Sequence, residues 1–417
     1  MTGLADCNNF FVSCERTLNP ALEGRAVVVL SNNDGCAVAR SNEAKRMGVK
    51  MGQPAFQLQD LVRSGKLIAL SGNHLLYRDI SIRIHDIFRR FAPRTIDYSV
   101  DEAFLDMDGI PESQLALIGN AICDACWQEE HIPVTIGFAP TKTLAKIATE
   151  VGKKSGSRVI VLTDRDEIGR ILKRIAINDM WGIGRRLTKK MYMAGVYTVA
   201  DFAARDVGWV RSQLGVNGER SWMELHGVPC IELEHVDRER QDSISETRTF
   251  PEDVNDFDYL RTRIAIYCSH VSKRLRSMQC MCGAMSVFLR TNRFHQERGY
   301  YAPEASARFG EPTDDATQIS TTGEELLKRI FRPDISYKRA GVVLYEIVPA
   351  RVRVPSLFED VEADNKVKRK SAELMKVIDS LNAGVGPHKL RLAAEVLNGG
   401  VGQNCGYSSS FGAPSKK

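Results

Sequence analysis

The stretch ELEHVDRERQDS, residues 232–243, is the feature that most constrains how this 417-residue chain can fold. It is highly charged and nearly devoid of apolar side chains, so it has little to contribute to a buried core. A chain of this length is also too long for one compact core and should divide into two to four domains. We therefore interpret residues 232–243 as a linker between two folded parts.

The same succession of elements, β–α–β–β–α–β, is predicted on both sides of this linker. It favours an α+β fold in which mixed sheets carry helices on one face. Residues 166–230 instead resemble short helices separated by Gly turns. Before the linker we predict strands at 26–30, 95–107, 132–139 and 158–162, and helices at 42–48, 75–92, 114–130 and 141–154; after it, strands at 244–250, 283–292, 301–309 and 340–348, and helices at 254–278 and 319–332.

Composition describes an ordinary soluble protein, with 43% hydrophobic and 26% charged residues. The net charge of +5 permits nucleic-acid partners without requiring them. Ten scattered cysteines include one CxxC pair, Cys123 and Cys126, which lacks a second pair for a zinc site and is interpreted as helix core. Without a signal peptide or a membrane-spanning run, we expect an intracellular protein in a reducing cytosol.

The predicted strand TIDYSVDEAFLDM, residues 95–107, contains two adjacent carboxylates, Asp101 and Glu102. Burying ionised carboxylates in a strand is costly unless a cation compensates. Asp6, in the N-terminal strand-like segment, repeats this pattern, and three carboxylates on one sheet favour divalent cations. Because adjacent strand residues face opposite sides, a shared site requires the strand to bend or end at Asp101 and Glu102. The alternative is that Glu102 is a solvent-facing strand residue.

Two further patterns suggest phosphate binding. Lys45 and Arg46 in NEAKRMG, and Lys153 in EVGKKSG, are candidate triphosphate ligands, although helical cations are usually solvated. The segment WGIGRRLTKK, from residue 181, resembles a helix-hairpin-helix, in which Gly182 and Gly184 free backbone N–H groups at a helix N-terminus. Arg185, Arg186, Lys189 and Lys190 would add attraction to a DNA backbone. A plain αα-hairpin is the alternative there. Residues 214–227 look like a degenerate second copy.

These motifs together resemble one enzyme family. ADCNNFFVSCE, VVVLSNNDGCAVARSNEAKRMGVKMG, YSVDEAFLDM, GFAPTKTLAKIATEVGKK and WGIGRRL occur in the order found in Y-family translesion DNA polymerases. LSNNDGC and SLFED…LMKVIDSLNAG resemble the UmuC subfamily, the catalytic subunits of bacterial DNA polymerase V and their plasmid-borne relatives. The resemblance covers about residues 3–400.

The resemblance implies a right-hand polymerase with a ferredoxin-like palm (1–18 and 77–165), small fingers (19–76), a helical thumb (166–231), a little finger (244–348) and a C-terminal tail (349–417). Phe11 falls on the steric gate that excludes ribonucleotides. Asn9 and Asn42 depart from the tyrosines that other branches often have. The implied metal ligands for two Mg²⁺ ions are Asp6, Cys7 through its backbone carbonyl, Asp101 and Glu102; the implied nucleotide pocket is Asn9, Phe10, Phe11, Asn42, Lys45 and Lys153.

The function implied is error-prone translesion synthesis on primer-template DNA with deoxynucleoside triphosphates, in an SOS-type response in the bacterial cytoplasm at the nucleoid. Implied partners are a processed UmuD-like dimer, a RecA filament and the sliding clamp. Leu357 and Phe358 match the end of a clamp-binding peptide, whereas Val354 and Pro355 depart from it. The alternatives are a catalytically silent accessory protein that binds DNA and the clamp, or a nucleotidyl cyclase, in which the helix-hairpin-helix would have no purpose.

Overall fold

The chain forms two compact units, an N-terminal unit within Met1–His235 and a C-terminal unit within Val236–Gln403. The computed structural model describes residues 1–31, 34–232, 242–294, 299–350, 370, 373–382 and 390–396. The strands in this part of the chain are β1 (Thr2–Cys7), β2 (Val27–Leu30), β3 (Ala37–Arg40), β4 (Ile68–Ser71), β5 (Arg94–Asp97), β6 (Glu102–Asp106), β7 (Val134–Ala139), β8 (Val159–Val161), β9 (Ser243–Val254), β10 (Cys280–Arg290), β11 (Glu304–Thr313) and β12 (Tyr337–Pro349).

The helices follow the predicted order closely. Residues 373–382 are also helical. The α-helices are α1 (Phe10–Leu18), α2 (Asn42–Arg46), α3 (Gln59–Arg63), α4 (His74–Phe91), α5 (Glu112–Glu130), α6 (Lys142–Ser155), α7 (Arg165–Leu172), α8 (Arg185–Met193), α9 (Val199–Ala203), α10 (Val207–Leu225), α11 (Phe257–Ser277) and α12 (Ala316–Ile330).

A five-stranded sheet with the order β5-β6-β1-β7-β8 is the framework of the N-terminal unit. Its central strand β1 pairs antiparallel with both β6 and β7, while β7 and β8 are parallel. Apolar residues from α1, α4 and α5 pack on one face against residues such as Ala5 and Leu105, which are fully buried. Periodic apolar positions in α4 and α5 create this face because they recur every three or four residues.

Helix α6 covers the opposite face, so the prediction of helices on one face only is wrong. Leu4 and Phe104 of the sheet share a core with Leu144 and Ala148 of α6. The approach is close because Gly137 of β7 has no side chain: a Cβ there would lie 2.3 Å from the backbone nitrogen of Thr149 and 2.6 Å from the carbonyl oxygen of Ala145. The sequence pattern alone does not reveal to which face a connection crosses.

The predicted single strand at 95–107 is also wrong. Residues 94–106 form an antiparallel hairpin, β5 and β6, in which Arg94 pairs with Asp106 and Asp97 with Ala103. The backbone N–H groups of Tyr98 and Ser99 donate to the carbonyl oxygen of Glu102 at 3.0 and 3.1 Å, closing the turn. The alternating pattern predicts strand on both sides of the turn, but Tyr-Ser-Val-Asp carries no Gly or Pro signal that would mark the reversal.

Residues 19–76 contain a separate three-stranded sheet with the order β3-β2-β4. Its own small core includes Val28, Leu30 and Leu58. Residues 165–225 form helices α7 to α10 with turns between them, and their apolar residues join the core on the α6 face of the large sheet. The N-terminal unit therefore places two smaller parts next to the large sheet.

The C-terminal unit contains the predicted β–α–β–β–α–β succession. Strands β9 to β12 form an antiparallel sheet with the order β11-β10-β12-β9, and α11 and α12 pack on it. Val342 and Leu344 of the central strand β12 are fully buried. Strand positions that face the helices are apolar because they are removed from water on folding.

Cys123 and Cys126 lie in the core, as predicted: they are 2% and 0% exposed and form no disulfide. Burial raises the pKa of Cys123 to about 11 and that of Cys126 to about 12. No helix in the described part of the chain is both long and apolar enough to cross a membrane.

Candidate active site

Three acidic residues meet where two central strands of the large sheet end. Asp6 lies near the end of β1 and Glu102 is the first residue of β6, and the two are direct partners in the antiparallel register. Directly paired residues project their side chains to the same face. Asp101 precedes β6, and its carbonyl oxygen accepts a 2.9 Å hydrogen bond from the N–H of Cys7. The strand therefore begins at these acids, as a shared site requires.

Ser99 holds the two adjacent carboxylates together. Its hydroxyl donates to Oδ1 of Asp101 at 2.7 Å and lies 3.5 Å from Oε2 of Glu102. The backbone N–H of Asp101 in turn donates to the Ser99 hydroxyl at 3.3 Å. Because one hydroxyl reaches both carboxylates, the turn orients them toward a common region.

Two lysines of α6 neutralise two of the acids. Lys153 Nζ lies 2.5 Å from Oδ2 of Asp6, and Lys146 Nζ lies 2.8 Å from Oε1 of Glu102. The lysines are seven residues apart, or about two turns, so they share one helix face. Burial raises the pKa of Asp6 to about 7, against the attraction and hydrogen bond of Lys153. Burial opposes the charge of Lys153, but the attraction and hydrogen bond of Asp6 outweigh it and raise its pKa, so its ammonium stays charged at neutral pH.

The carboxylate oxygens of this cluster are suitable ligands for a divalent cation, although two lysines occupy them in this structure. Carboxylate oxygens are the ligands that Mg²⁺ prefers, and the raised pKa of buried Asp6 marks a charge that more positive charge would stabilise. Among the described residues, no three His, Cys, Asp or Glu side chains are already arranged to hold a metal. Lys146 and Lys153 contact the oxygens that such an ion would use, so the lysines must release or share them.

The implied nucleotide pocket is joined by hydrogen bonds. Asn9 adopts a left-handed conformation with φ of 51° at the start of α1. Its side-chain amide donates to Oδ1 of Asn42 at 3.0 Å, and its own oxygen accepts from Lys45 Nζ at 2.6 Å. Asn9, Lys45 and Lys153 line a cavity of about 210 Å³. Burial, followed by repulsion from Arg40 and Lys153, lowers the pKa of Lys45, as expected where cations converge on an anion site.

Phe11 and Phe10 have different surroundings. Phe11 is half-buried and lines a second cavity, of about 290 Å³, together with Asp6, Asp101 and Lys45. Phe10 also borders this cavity but is only 3% exposed and belongs to the core. Both rings therefore border the cavity that Asp6 and Asp101 line, and Phe11 is the more exposed of the two.

The Gly-Ile-Gly segment forms the expected turn before α8. Gly182 has φ of +87°, which favours glycine, and Gly184 is the residue before the helix. No side chain accepts the first N–H groups of α8 at its cap. Arg185, Arg186 and Lys189 are exposed on its first turns.

The weaker second copy has a similar break. Gly215 adopts φ of 69° and ψ of −164° and interrupts α10. A glycine-containing turn between helical segments therefore occurs in both places.

An aromatic contact connects the turn before α8 to the acids. Trp181 Nε1 donates to the Tyr98 hydroxyl at 3.0 Å, and the two rings meet at right angles 5.8 Å apart. The Lys146 ammonium lies 4.6 Å from the Tyr98 ring centroid and 5.5 Å from that of Trp181. Lys146 is thus held both by cation–π attraction to the two rings and by its ion pair with Glu102.

Sequence reasoning missed Ser99, Lys146, Tyr98 and Trp181 as site residues. The spacing of seven between Lys146 and Lys153 was the available signal for Lys146. Arg40 was missed too; it lines the cavity of Phe11, its guanidinium donates to the carbonyl oxygen of Val49 at 2.7 Å, and its buried Nε has no hydrogen-bond partner among the described residues. Leu357 and Phe358, the implied clamp-binding residues, lie outside the described residues.

Comparison with known sequences identifies relatives over nearly the whole chain. The profile of the impB/mucB/samB family matches residues 5–150, and that of the impB/mucB/samB family C-terminal domain matches residues 241–357. Protein UmuC of Salmonella typhimurium is 35% identical over 402 residues, which cover 95% of this chain and 94% of that protein. Protein ImpB of the same organism is 32% identical, covering 92% and 90%. DNA polymerase IV 1 of Bacillus subtilis is 30% identical, covering 68% and 69%.

Solved structures share the fold. A Y-family DNA polymerase chimera of Dbh and Dpo4 superposes with a TM-score of 0.67 at 22% identity, covering 83% of this chain and 99% of that one. An insertion ternary complex of Dbh DNA polymerase superposes with a TM-score of 0.52 at 20% identity, with the same coverage. The right-hand fold expected from the motifs agrees with both neighbours. The chain shares the fold of Y-family DNA polymerases, belongs to the impB/mucB/samB family and is a UmuC-type DNA-directed DNA polymerase.

Proposed function

We propose that this polymerase adds deoxynucleotides to a primer 3′-OH opposite damaged template bases, with low fidelity. The primer 3′-hydroxyl gives up its proton to solvent water as its oxygen bonds to the α-phosphorus of the incoming nucleotide, the bond from that phosphorus to the β-phosphate oxygen breaks, and pyrophosphate leaves. The observation that best supports this reaction is the direct pairing of Asp6 with Glu102, with Asp101 beside them. Such a cluster of acids can hold the divalent cations that balance the negative charge of a triphosphate.

Asp6, Asp101, Glu102 and the backbone carbonyl of Cys7 hold two Mg²⁺ ions in this proposal. When bound, the ions stabilise the charge that develops on the attacking and leaving oxygens of an in-line displacement. The protein's own part is to orient the carboxylates, which Ser99 does for Asp101 and Glu102 through its hydroxyl. Lys146 and Lys153 keep the acids paired until substrate and ions arrive.

The surrounding residues bind the other substrate groups. Lys45 and Lys153 bind the triphosphate, with Asn9 and Asn42 orienting Lys45. Phe11 acts as the steric gate against a 2′-hydroxyl, because it lines the cavity that also contains Asp101.

DNA is bound by the turn before α8. Gly182 and Gly184 present backbone N–H groups to phosphates there, and Arg185, Arg186 and Lys189 add sequence-independent attraction.

We propose domain boundaries by analogy with the family. We assign the palm to 1–18 and 77–165, the fingers to 19–76, the thumb to 166–231, a linker to 232–243, the little finger to 244–348 and a tail to 349–417. A small fingers segment leaves an open pocket that tests base-pair shape weakly, so it tolerates lesions and makes errors.

The cellular setting is also carried over from the family. We propose a role in an SOS-type response at the bacterial nucleoid. The proposed partners are a processed UmuD-like dimer, a RecA filament and the sliding clamp, the last through Leu357 and Phe358.

Replacing Asp101 tests this function directly. Asp101→Asn removes one negative charge from the cluster while leaving its size unchanged. Loss of several kcal/mol of transition-state stabilisation corresponds to a decrease in the extension rate of about 10³-fold. The measurement is Mg²⁺-dependent extension of a primed oligonucleotide containing an abasic site, with the partner proteins supplied.

Asp106→Asn is the matched control, because Asp106 lies on the same strand at its far end. We expect it to extend primers normally, and we expect both variants to bind DNA with unchanged affinity. Normal extension by Asp101→Asn would refute the metal assignment. Absence of extension by the unmodified protein would favour the silent accessory protein instead.

A further inference from the structure

The ring of Phe11 is supported from behind by a second aromatic ring. Phe11 and Tyr77 are stacked, with centroids 4.4 Å apart and planes inclined by 15°. His74 meets the edge of both rings, at 5.7 Å from Phe11 and 5.8 Å from Tyr77. Tyr77 and His74 both belong to α4, whereas Phe11 belongs to α1, so the stack connects two helices.

Tyr77 is fixed at both ends. It is 1% exposed, and its hydroxyl donates to Oε1 of Glu15 at 2.7 Å. Glu15 is fully buried and lies four residues after Phe11, on the same face of α1. Burial raises the pKa of the Tyr77 hydroxyl, so it remains a donor throughout the physiological range. The ring behind Phe11 is therefore anchored to the helix that carries Phe11 itself.

We infer that Tyr77, assisted by His74, is a sugar-selectivity residue that acts by preventing the Phe11 ring from retreating. This inference rests on the proposed gate role of Phe11. A gate excludes a 2′-hydroxyl only if its ring cannot move aside when the larger sugar enters. Movement of Phe11 away from the cavity would require the stack with Tyr77 to break or the buried Tyr77 to shift.

The stacking energy of the two rings sets the size of the expected effect on sugar discrimination. An offset aromatic pair is worth enough to change an equilibrium by roughly two- to tenfold. Removing the Tyr77 ring should reduce discrimination between deoxyribonucleotides and ribonucleotides by about that factor. The change should appear mainly as a lower KM for the ribonucleotide, because the ring opposes binding of the 2′-hydroxyl rather than the chemical step.

The experiment measures kcat/KM for a matching deoxynucleotide and its ribonucleotide in a set of variants. Tyr77→Leu removes the ring, Tyr77→Phe keeps the ring without its hydroxyl, and Phe11→Ala removes the gate. We expect reduced discrimination for Tyr77→Leu, discrimination within about twofold of the parent for Tyr77→Phe, and the largest loss for Phe11→Ala. In the double variant, Tyr77→Leu should add nothing to Phe11→Ala.

The matched control is Tyr267→Leu in α11, another buried tyrosine, which should leave sugar discrimination unchanged. Circular dichroism and DNA binding report whether each variant is folded. If Tyr77→Leu does not fold, Tyr77→Met and the exposed His74→Leu test the same support, the latter with a loss of about twofold.

The outcomes separate the two claims. Unchanged discrimination in Phe11→Ala refutes the gate itself. Relaxed discrimination in Phe11→Ala, together with parental discrimination in the folded Tyr77 variants, or in His74→Leu if neither folds, refutes the support role and leaves the proposed polymerase function intact.

Discussion

At the residue scale, Lys153 lies between a carboxylate and the proposed phosphate pocket. In the structure its ammonium contacts Asp6, but it also lines the cavity of Asn9 and Lys45, where we place the triphosphate. An ammonium has three N–H donors and can bridge a carboxylate and a phosphate. Its raised pKa keeps the charge available for both. Lys153 therefore links occupancy of the carboxylates to occupancy of the phosphate pocket.

Lys153→Met should weaken nucleotide binding. A hydrogen bond to a charged group is worth about 1.5–3 kcal/mol, so we expect KM for the deoxynucleotide to rise roughly 10- to 100-fold. Steady-state single-nucleotide insertion measures this. Lys154→Met is the control, because Lys154 is 65% exposed and only pairs with Asp179 at 3.7 Å. An equal rise in KM for both variants would mean that general positive charge, rather than Lys153, binds the triphosphate.

Some residues of the candidate site carry a clear signal in the sequence and others do not. The proximity of Asp101 and Glu102 to Asp6 could be predicted, because acids within apolar strands are costly unless they share a cation. For Lys146 the only signal was its spacing of seven from Lys153, which is weak because solvated lysines on helices are common, and its partner Glu102 follows a turn that the pattern does not reveal. Ser99 was hidden for the same reason: its role exists only once the turn brings both carboxylates around its hydroxyl.

At the scale of elements, α6 determines where both lysines lie. Its first turn is capped by Thr141, whose hydroxyl accepts from the N–H of Leu144 at 3.3 Å. Glu224 of α10 adds a second cap: its carboxylate accepts from the N–H of Thr143 at 2.7 Å, and from that of Ile231 at 3.1 Å. A buried carboxylate at a helix N-terminus also interacts favourably with the helix dipole.

Glu224→Gln should destabilise the N-terminal unit. The amide keeps one oxygen but turns an NH₂ group toward backbone N–H donors, which leaves buried donors unpaired. We expect the free energy of unfolding to fall by about 1–3 kcal/mol, measured by denaturant titration. Glu219→Gln, on the same helix but paired with Arg211 at the surface, is the control and should change stability by less than about 0.5 kcal/mol. Equal stability of the two variants would contradict the capping role.

At the scale of the whole molecule, the two units have separate buried cores. Leu344 of β12 belongs to the core of the C-terminal unit, and Ile84 of α4 to that of the N-terminal unit. The β–α–β–β–α–β order of the C-terminal unit could be predicted from the sequence because long periodic segments identify their own type, whereas the N-terminal unit has further strands and helices in a different order. The faces that connections cover could not, because they depend on close approaches such as that of Gly137.

Leu344→Ala should therefore act locally. Loss of a buried leucine costs about 2–5 kcal/mol, and we expect faster amide hydrogen exchange in the strands of the C-terminal unit. Exchange in the five-stranded sheet should be unchanged. Ile84→Ala should give the reverse pattern. Accelerated exchange in both units by either substitution would mean that the chain unfolds as one cooperative body.

The contact at Gly137 has a consequence for interpreting natural or engineered variants. A methyl group added there would overlap the backbone of α6, so the helix would have to lift away from the sheet. The anchoring points of two ammonium groups would move with it, although no charged group had been changed. A survey of variants ranked by distance from bound nucleotide would overlook such a position. The absence of a side chain at Gly137 therefore determines how closely α6 approaches the sheet and where its two lysines meet the acids.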